Sequence, residues 1–172
     1  GDEAATAAYI EQLFSEELKG GHVLTNRSVW RQFSTITLAT WQARANGTPV
    51  VLLGDAAHTA HYAIGSGTKL ALEDAIALHE ALIAQPDDLG GALAAYEAQR
   101  RDEVGRTQHS ANVSLAWFEN VRRFWQLEPW QFNVSLLTRS KQITYENLRL
   151  RDAALVADAT ERWNRREGAR LK

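Results

Sequence analysis

Hydrophobic positions along the chain recur mostly at helical spacing, interrupted by one stretch with the shorter period of a strand. Thr6 to Leu18 sets Ile10, Leu13, Phe14 and Leu18 on one stripe and stops at Gly20 and Gly21, which predicts an amphipathic helix. Between Trp30 and Ala43, β-branched and aromatic residues with Ile36, Leu38 and Trp41 suggest a strand, and Asn46-Gly47 is the natural hairpin turn after it. Val50 to Leu53 form an unbroken apolar run, expected to pair antiparallel and to be covered on both faces. Thr68 to Ala84 predicts a helix turning Leu70, Ala71, Ala75, Leu78 and Leu82 to a core. Past Pro86-Asp87-Asp88 and Gly90-Gly91, a long helical stretch runs from about Ala92 toward Trp125 with a polar, bent middle. Pro129 restarts a helix to about Arg139, Ile143 to Leu148 look strand-like, and Ala153 to Gly168 close as a charged helix. The expected fold class is mainly α with a β-hairpin.

Composition narrows the function without assigning it. With 45% hydrophobic and 23% charged residues and 3 prolines in 172, the chain has the makeup of a folded domain rather than a disordered tail. A net charge of -2 provides no global attraction to nucleic acid or anionic membranes, and no spanning segment or leader is legible, so the cytoplasm is the default location. The absence of cysteine excludes disulfides and thiolate ligands. His58 and His61 stand three apart without further ligands beside them, so no metal site is expected, and Ser66 lies in G-S-G rather than in the G-x-S-x-G elbow of a hydrolase.

The chemistry concentrates between Val50 and Leu78. Gly54 lets the backbone turn at the end of the apolar run, which leaves the carboxylate of Asp55 at the strand's carboxyl edge. Gly65 and Gly67 then open a helix whose first amides and positive dipole end point back toward Asp55, an arrangement suited to an anionic or hydroxyl-rich ligand.

The wording GDAAH, the glycine loop and LALEDAIAL resemble the second FAD-binding motif of the aromatic-ring flavoprotein monooxygenases related to para-hydroxybenzoate hydroxylase. AHTAHYAIGSGTKLALEDA together with SKQITYENLRLRD at 140–152 look most like the hydroxylases of CoA-activated aromatic acids, acting on salicylyl-CoA and 2-aminobenzoyl-CoA. The resemblance implies an enzyme using FAD and NAD(P)H to hydroxylate a small aromatic substrate, with a CoA-linked one implied by the likeness to the CoA-ester hydroxylases. It implies cofactor contacts from Gly54, Asp55, Gly65, Ser66, Gly67, Thr68 and Lys69, with Asp55 receiving ribityl hydroxyls and the glycine amides approaching the isoalloxazine. His61 and Tyr62 replace a Pro-Pro pair common among relatives, which makes them the candidate catalytic residues, able to hydrogen-bond a phenol or aniline and assist its deprotonation. Lys69 stands where an Asn is usual. His58 reads as structural, Glu73 and Asp74 as helix-face and packing residues, and Arg139, Lys141, Arg149 and Arg151 as a basic cluster that could meet CoA phosphates.

Such an enzyme should also carry G-x-G-x-x-G to hold the pyrophosphate, and no such pattern occurs here. The chain is therefore expected to be the carboxyl-terminal part of an α/β FAD-binding monooxygenase, with the missing FAD-binding segment as its partner. Residues 1–49 would end the substrate-domain region, 50–84 would carry the flavin motif, and 85–172 would form the helical end. Epoxidases, halogenases and flavin-linked reductases are alternatives on the same scaffold. A non-catalytic helical interaction module is the alternative of a different class. The clustered tryptophans of the second half read first as core and second as a pocket wall.

Overall fold

A computed structural model describes residues 2–26 and 32–170, which group into two compact units, 1–33 and 34–172. In the first unit, Asp2 caps helix α1 (Glu3–Leu13) by accepting the amides of Ala4 and Ala5, so the helix starts earlier than the apolar stripe predicts. It also breaks earlier. Phe14 leaves helical geometry, α2 (Ser15–Leu18) adds one more turn, and Lys19 and Gly20 in left-handed conformation end it.

The second unit begins with an irregular segment where a strand was expected. Trp30 lies outside the described residues, and residues 32–40 run without a ladder apart from an isolated bridge between Thr37 and His58. Their backbone is satisfied by side chains of other elements instead, as shown below. The hairpin itself pairs β1 (Gln42–Ala45) antiparallel with β2 (Thr48–Val51). Asn46 and Gly47 both take positive φ, 51° and 82°, which is the type I′ geometry that matches strand twist.

The apolar run Val50 to Leu53 is not one strand buried on both faces. Strand β2 stops at Val51, and Val50 and Leu53 are exposed while Val51 and Leu52 pack on the core. Two antiparallel strands bury only the face turned to the helices.

Helix α3 (Gly67–Ala84) packs on α4 (Leu89–Glu119). The buried cluster they share contains small residues, Ala77 and Ala81 of α3 and Ala92 and Ala111 of α4, together with Leu70, Tyr96 and Val104. The inward face of α3 is Leu70, Asp74, Ala77 and Ala81; Ala75 and Leu82 point outward, contrary to expectation. Helix α4 stays helical from its Asp88 cap through Gly105 to Glu119, where a 3-10 turn (Val121–Phe124) takes over.

Beyond it, Pro129 at the first position and the reciprocal bonding of Glu128 and Gln131 start α5 (Pro129–Thr138). The expected strand at Ile143 to Leu148 is instead α6 (Tyr145–Arg151). Thr144 caps it at the amide of Asn147, and Leu148 is buried in the layer that α6 makes with α7 (Ala153–Arg170). The apparent alternation of Ile143, Tyr145, Leu148 and Leu150 concealed that cap. The mainly helical class with one hairpin is as expected.

Candidate functional site

The corner after β2 is organised by one buried carboxylate. Leu53 is extended, and Gly54 then turns at φ 57°, where an added Cβ would come within 3.1 Å of the Ala71 Cβ. The positive φ favours glycine, and a Cβ there would have to displace Ala71 slightly. The Gly54 amide donates to Asp74 Oδ2 at 2.8 Å, His58 Nε2 meets the same oxygen at 2.7 Å, and Arg100 Nε donates to Oδ1 at 2.9 Å. Asp74 is 0% exposed and His58 2%. His58 Nδ1 is buried and has no partner among the described residues, so the ring carries its proton on Nε2, toward Asp74.

Arg100 is held in turn by Glu73 and Glu103, each at 2.9 Å. Burial pushes the Asp74 carboxyl up, but His58, Arg100 and the Gly54 amide outweigh it and hold the group below the usual carboxylate range. Burial pulls the Arg100 guanidinium down, and Asp74 and Glu73 more than offset that.

Helix α4 holds the rest of the loop with a row of polar side chains. Tyr96 donates its hydroxyl to the Leu52 carbonyl at 3.1 Å, and burial pushes its phenol well above the ordinary range. Gln108 donates to the carbonyls of Ile36 and Thr59 at 2.8 and 2.9 Å. Ser114 and Arg139 both reach the Ala63 carbonyl, at 3.3 and 2.9 Å. Nearer the hairpin, Glu97 accepts from Thr40, the Trp41 amide and Gln42, while Arg101 donates to the carbonyls of Leu38 and Ala39. These bonds explain why residues 36–40 need no strand partner.

The outer side of the same corner is open. Asp55, in the first turn of a 3-10 segment (Gly54–Ala56) four residues past β2, is exposed while its neighbours Gly54 and Ala57 are buried. A second 3-10 turn (Tyr62–Ile64) leads through Gly65 at φ 66° to Ser66 and the start of α3. Among the described residues no side chain caps that helix, and Ser66 stands at the cap position with its Oγ buried and without a partner there. At Gly67 the backbone is not left-handed and an added Cβ would meet nothing within 4 Å, so neither strain nor internal crowding accounts for the glycine. An exposed carboxylate, an uncapped helix start and a glycine facing open space fit the FAD that the motif implies.

The other expected site residues are distributed unevenly. His61 is 7% exposed and its Nδ1 accepts the Ala63 amide at 3.2 Å. Tyr62 is 73% exposed and stacks on His61 with ring centroids 4.2 Å apart. Thr68 is exposed, and Lys69 is paired with Glu73 at 2.5 Å and Glu103 at 3.3 Å. Arg139 does not join Lys141, Arg149 and Arg151 in a basic cluster, because its guanidinium is spent on Ala63, Ser114 and Leu136 beside the Phe118 ring. Arg149 pairs with Glu146.

Trp117 packs among Phe118, Phe124 and Phe132, as core reading predicts. Trp130, Tyr145 and Trp163 line a cleft of about 480 Å³ in the α5–α6–α7 layer, and none of residues 54–69 contributes to it. Among the described residues, no group of histidine and carboxylate side chains could hold a metal ion. None of the described helices is long and apolar enough to cross a membrane.

Asp74 and Arg100 are the residues that sequence reasoning undervalued. The signal was present: Asp74 follows Leu70 by four on the inward stripe of α3, and Arg100 follows Tyr96 by four on that of α4. A charge on an apolar stripe is a buried charge in need of a partner.

No protein-family model matches the chain. It is similar to salicyloyl-CoA 5-hydroxylase of a Streptomyces species, 42% identical over 160 residues that make up 92% of this chain and 30% of that protein. It is 44% identical over 147 residues to 3-hydroxy-4-methyl-anthranilyl-(aryl-carrier protein) 5-monooxygenase of Streptosporangium sibiricum, covering 86% of this chain and 40% of that one. Protodeoxyviolaceinate monooxygenase of Chromobacterium violaceum is 34% identical over 143 residues, 82% of this chain and 37% of that protein. The chain thus spans 30 to 40% of the length of these curated relatives. Along most of its own length the chain is thus related to monooxygenases and hydroxylases of aromatic substrates.

Proposed function

We propose that this chain is the flavin-contacting part of a longer FAD-dependent monooxygenase that hydroxylates an aromatic acid carried as a thioester, with NAD(P)H as reductant. The supporting observation is the division of labour between two aspartates at one corner: Asp74 faces inward and is saturated, while Asp55 faces outward beside an uncapped helix start. Two of the relatives carry names that specify aromatic acyl groups on CoA or on a carrier protein, which supports the thioester assignment.

Bound FAD would supply the activation of oxygen. The chain's own residues would bind and orient. Asp55 would accept ribityl hydroxyls, and the amides of Gly67, Thr68 and Lys69, which have no intrahelical carbonyl to pair with, would face the electron-rich edge of the ring. His61 and Tyr62 would hydrogen-bond the substrate's phenol or aniline and take up or relay its proton. The buried segment of residues 57–60 would exclude water from that exchange. The GxGxxG-bearing segment expected from the family would supply the remaining FAD contacts.

Purification of the full-length protein tests the reading. It should be yellow, with flavin released on denaturation, and should consume NAD(P)H and oxygen faster when an aromatic acyl-CoA is added. A colourless protein that takes up no FAD would refute it. Replacing His61 with Asn or Tyr62 with Phe should lower the hydroxylation rate by about 10²-fold or more while FAD remains bound; a normal turnover number would remove either from the chemistry.

A further inference from the structure

Asp74 reaches no surface and cannot touch a ligand, yet it binds the one amide that sets the direction of the GD turn. The Gly54 amide begins the left-handed step that carries Asp55 outward, and its bond to Asp74 Oδ2 fixes the plane of that peptide. His58, three residues before His61, meets the same oxygen and rests against the Trp41 ring with centroids 4.9 Å apart. Arg100 fixes the other carboxylate oxygen, and Glu73 and Glu103 fix Arg100, so the carboxylate has no freedom to rotate. Stability alone does not call for this arrangement, since an apolar pair of similar volume would serve a core as well. What the buried ions add is a fixed orientation for one backbone amide.

We propose that Asp74 is a positioning residue for the flavin corner, with Arg100 orienting its carboxylate, and that the pair acts on the cofactor through Asp55. The proposal rests on the reading that Asp55 meets FAD. Two consequences follow. Asp74→Asn keeps the shape of the side chain but leaves a single acceptor oxygen, so its NH₂ must face either the Arg100 donor or the Gly54 and His58 donors. The effect of that change should also vanish once Asp55 is gone.

The experiment is a double-mutant cycle in the full-length protein, with the FAD dissociation constant read from flavin fluorescence quenching and the visible band of the bound flavin recorded for each variant. Circular dichroism fixes the folded fraction. Asp55→Ala should weaken FAD roughly 10- to 100-fold, the loss expected for hydrogen bonds to a charged group. Asp74→Asn should weaken it by about tenfold or more, the usual scale for a residue that orients a direct ligand, with a shifted flavin band. The double variant should bind no more weakly than Asp55→Ala alone. Where Asp74→Asn fails to fold, Arg100→Lys takes its place in the cycle with the same expectations. Unchanged FAD affinity in a folded Asp74→Asn, or losses that simply add, would overturn the positioning role while leaving Asp55 in place. Unchanged affinity in Asp55→Ala would instead overturn the flavin reading itself.

Discussion

Two regions of this chain use charged residues in opposite ways. On the inner side of the corner of residues 52–63, ionisable groups are buried, few and mutually saturated: Asp74, Arg100 and His58 are all under a tenth exposed and share one set of bonds. In α6 and α7, charges are many and exposed, paired along a single helix as Arg149–Glu146, Arg162–Asp158 and Arg165–Glu161. The first kind dictates backbone geometry, because an unsatisfied member would cost several kcal/mol in a dry interior. The second kind keeps a helix solvated and specifies little. A site can be built on the first and not on the second, which is the lesson of Arg139, whose charge is taken up by the loop it supports.

The sharpest way to break the contrast is to remove one partner on each side. Arg100→Met should destabilise the chain by about 3 to 5 kcal/mol, because it strands the Asp74 carboxylate in the core; urea denaturation yielding less than about 1 kcal/mol would place the network among ordinary surface pairs. Acid should act on the same group. A carboxyl whose folded value is depressed contributes stability above its unfolded pKa of about 3.9 and loses it as pH falls through the folded value. The stability gap between the wild type and Asp74→Asn should therefore be full near neutrality and close below about pH 4, as read from thermal midpoints across pH. A gap independent of pH would mean that the charge of Asp74 contributes nothing.

Smaller effects follow down the row of α4. Tyr96→Phe should cost about 1 to 2 kcal/mol by orphaning the Leu52 carbonyl. Arg162→Ala, at the other extreme, should leave the unfolding midpoint where it is, and a clear drop would show that the exposed pairs of α7 matter more than their setting suggests.

The sequence carried this contrast only in part. Hairpin, helix order and the outward carboxylate were legible because each has a local cause: Asn46-Gly47 turns the chain, Pro129 starts a helix, and Gly54 precedes Asp55. The irregular course of residues 32–40 was not legible, since Glu97, Arg101 and Gln108, 56 to 72 residues away in sequence, supply the bonds a strand partner would have supplied. Helix α6 was missed because its cap at Thr144 and its burial against α7 outweigh a β-like composition. Asp74 was misjudged for the complementary reason, that a charge next to Glu73 in LEDA looks like part of a solvated face until the facing helix is known.

The central claim is that the inner side of the corner is already fixed while its outer side is built to receive FAD. Amide hydrogen exchange on the full-length protein, with and without FAD, measures both halves at once. The account predicts slow exchange at Gly54 in either state, and strong FAD-dependent protection at Gly67, Thr68 and Lys69 that Asp55→Ala diminishes. Fast exchange at Gly54, or FAD protection that leaves residues 67–69 untouched, would contradict it.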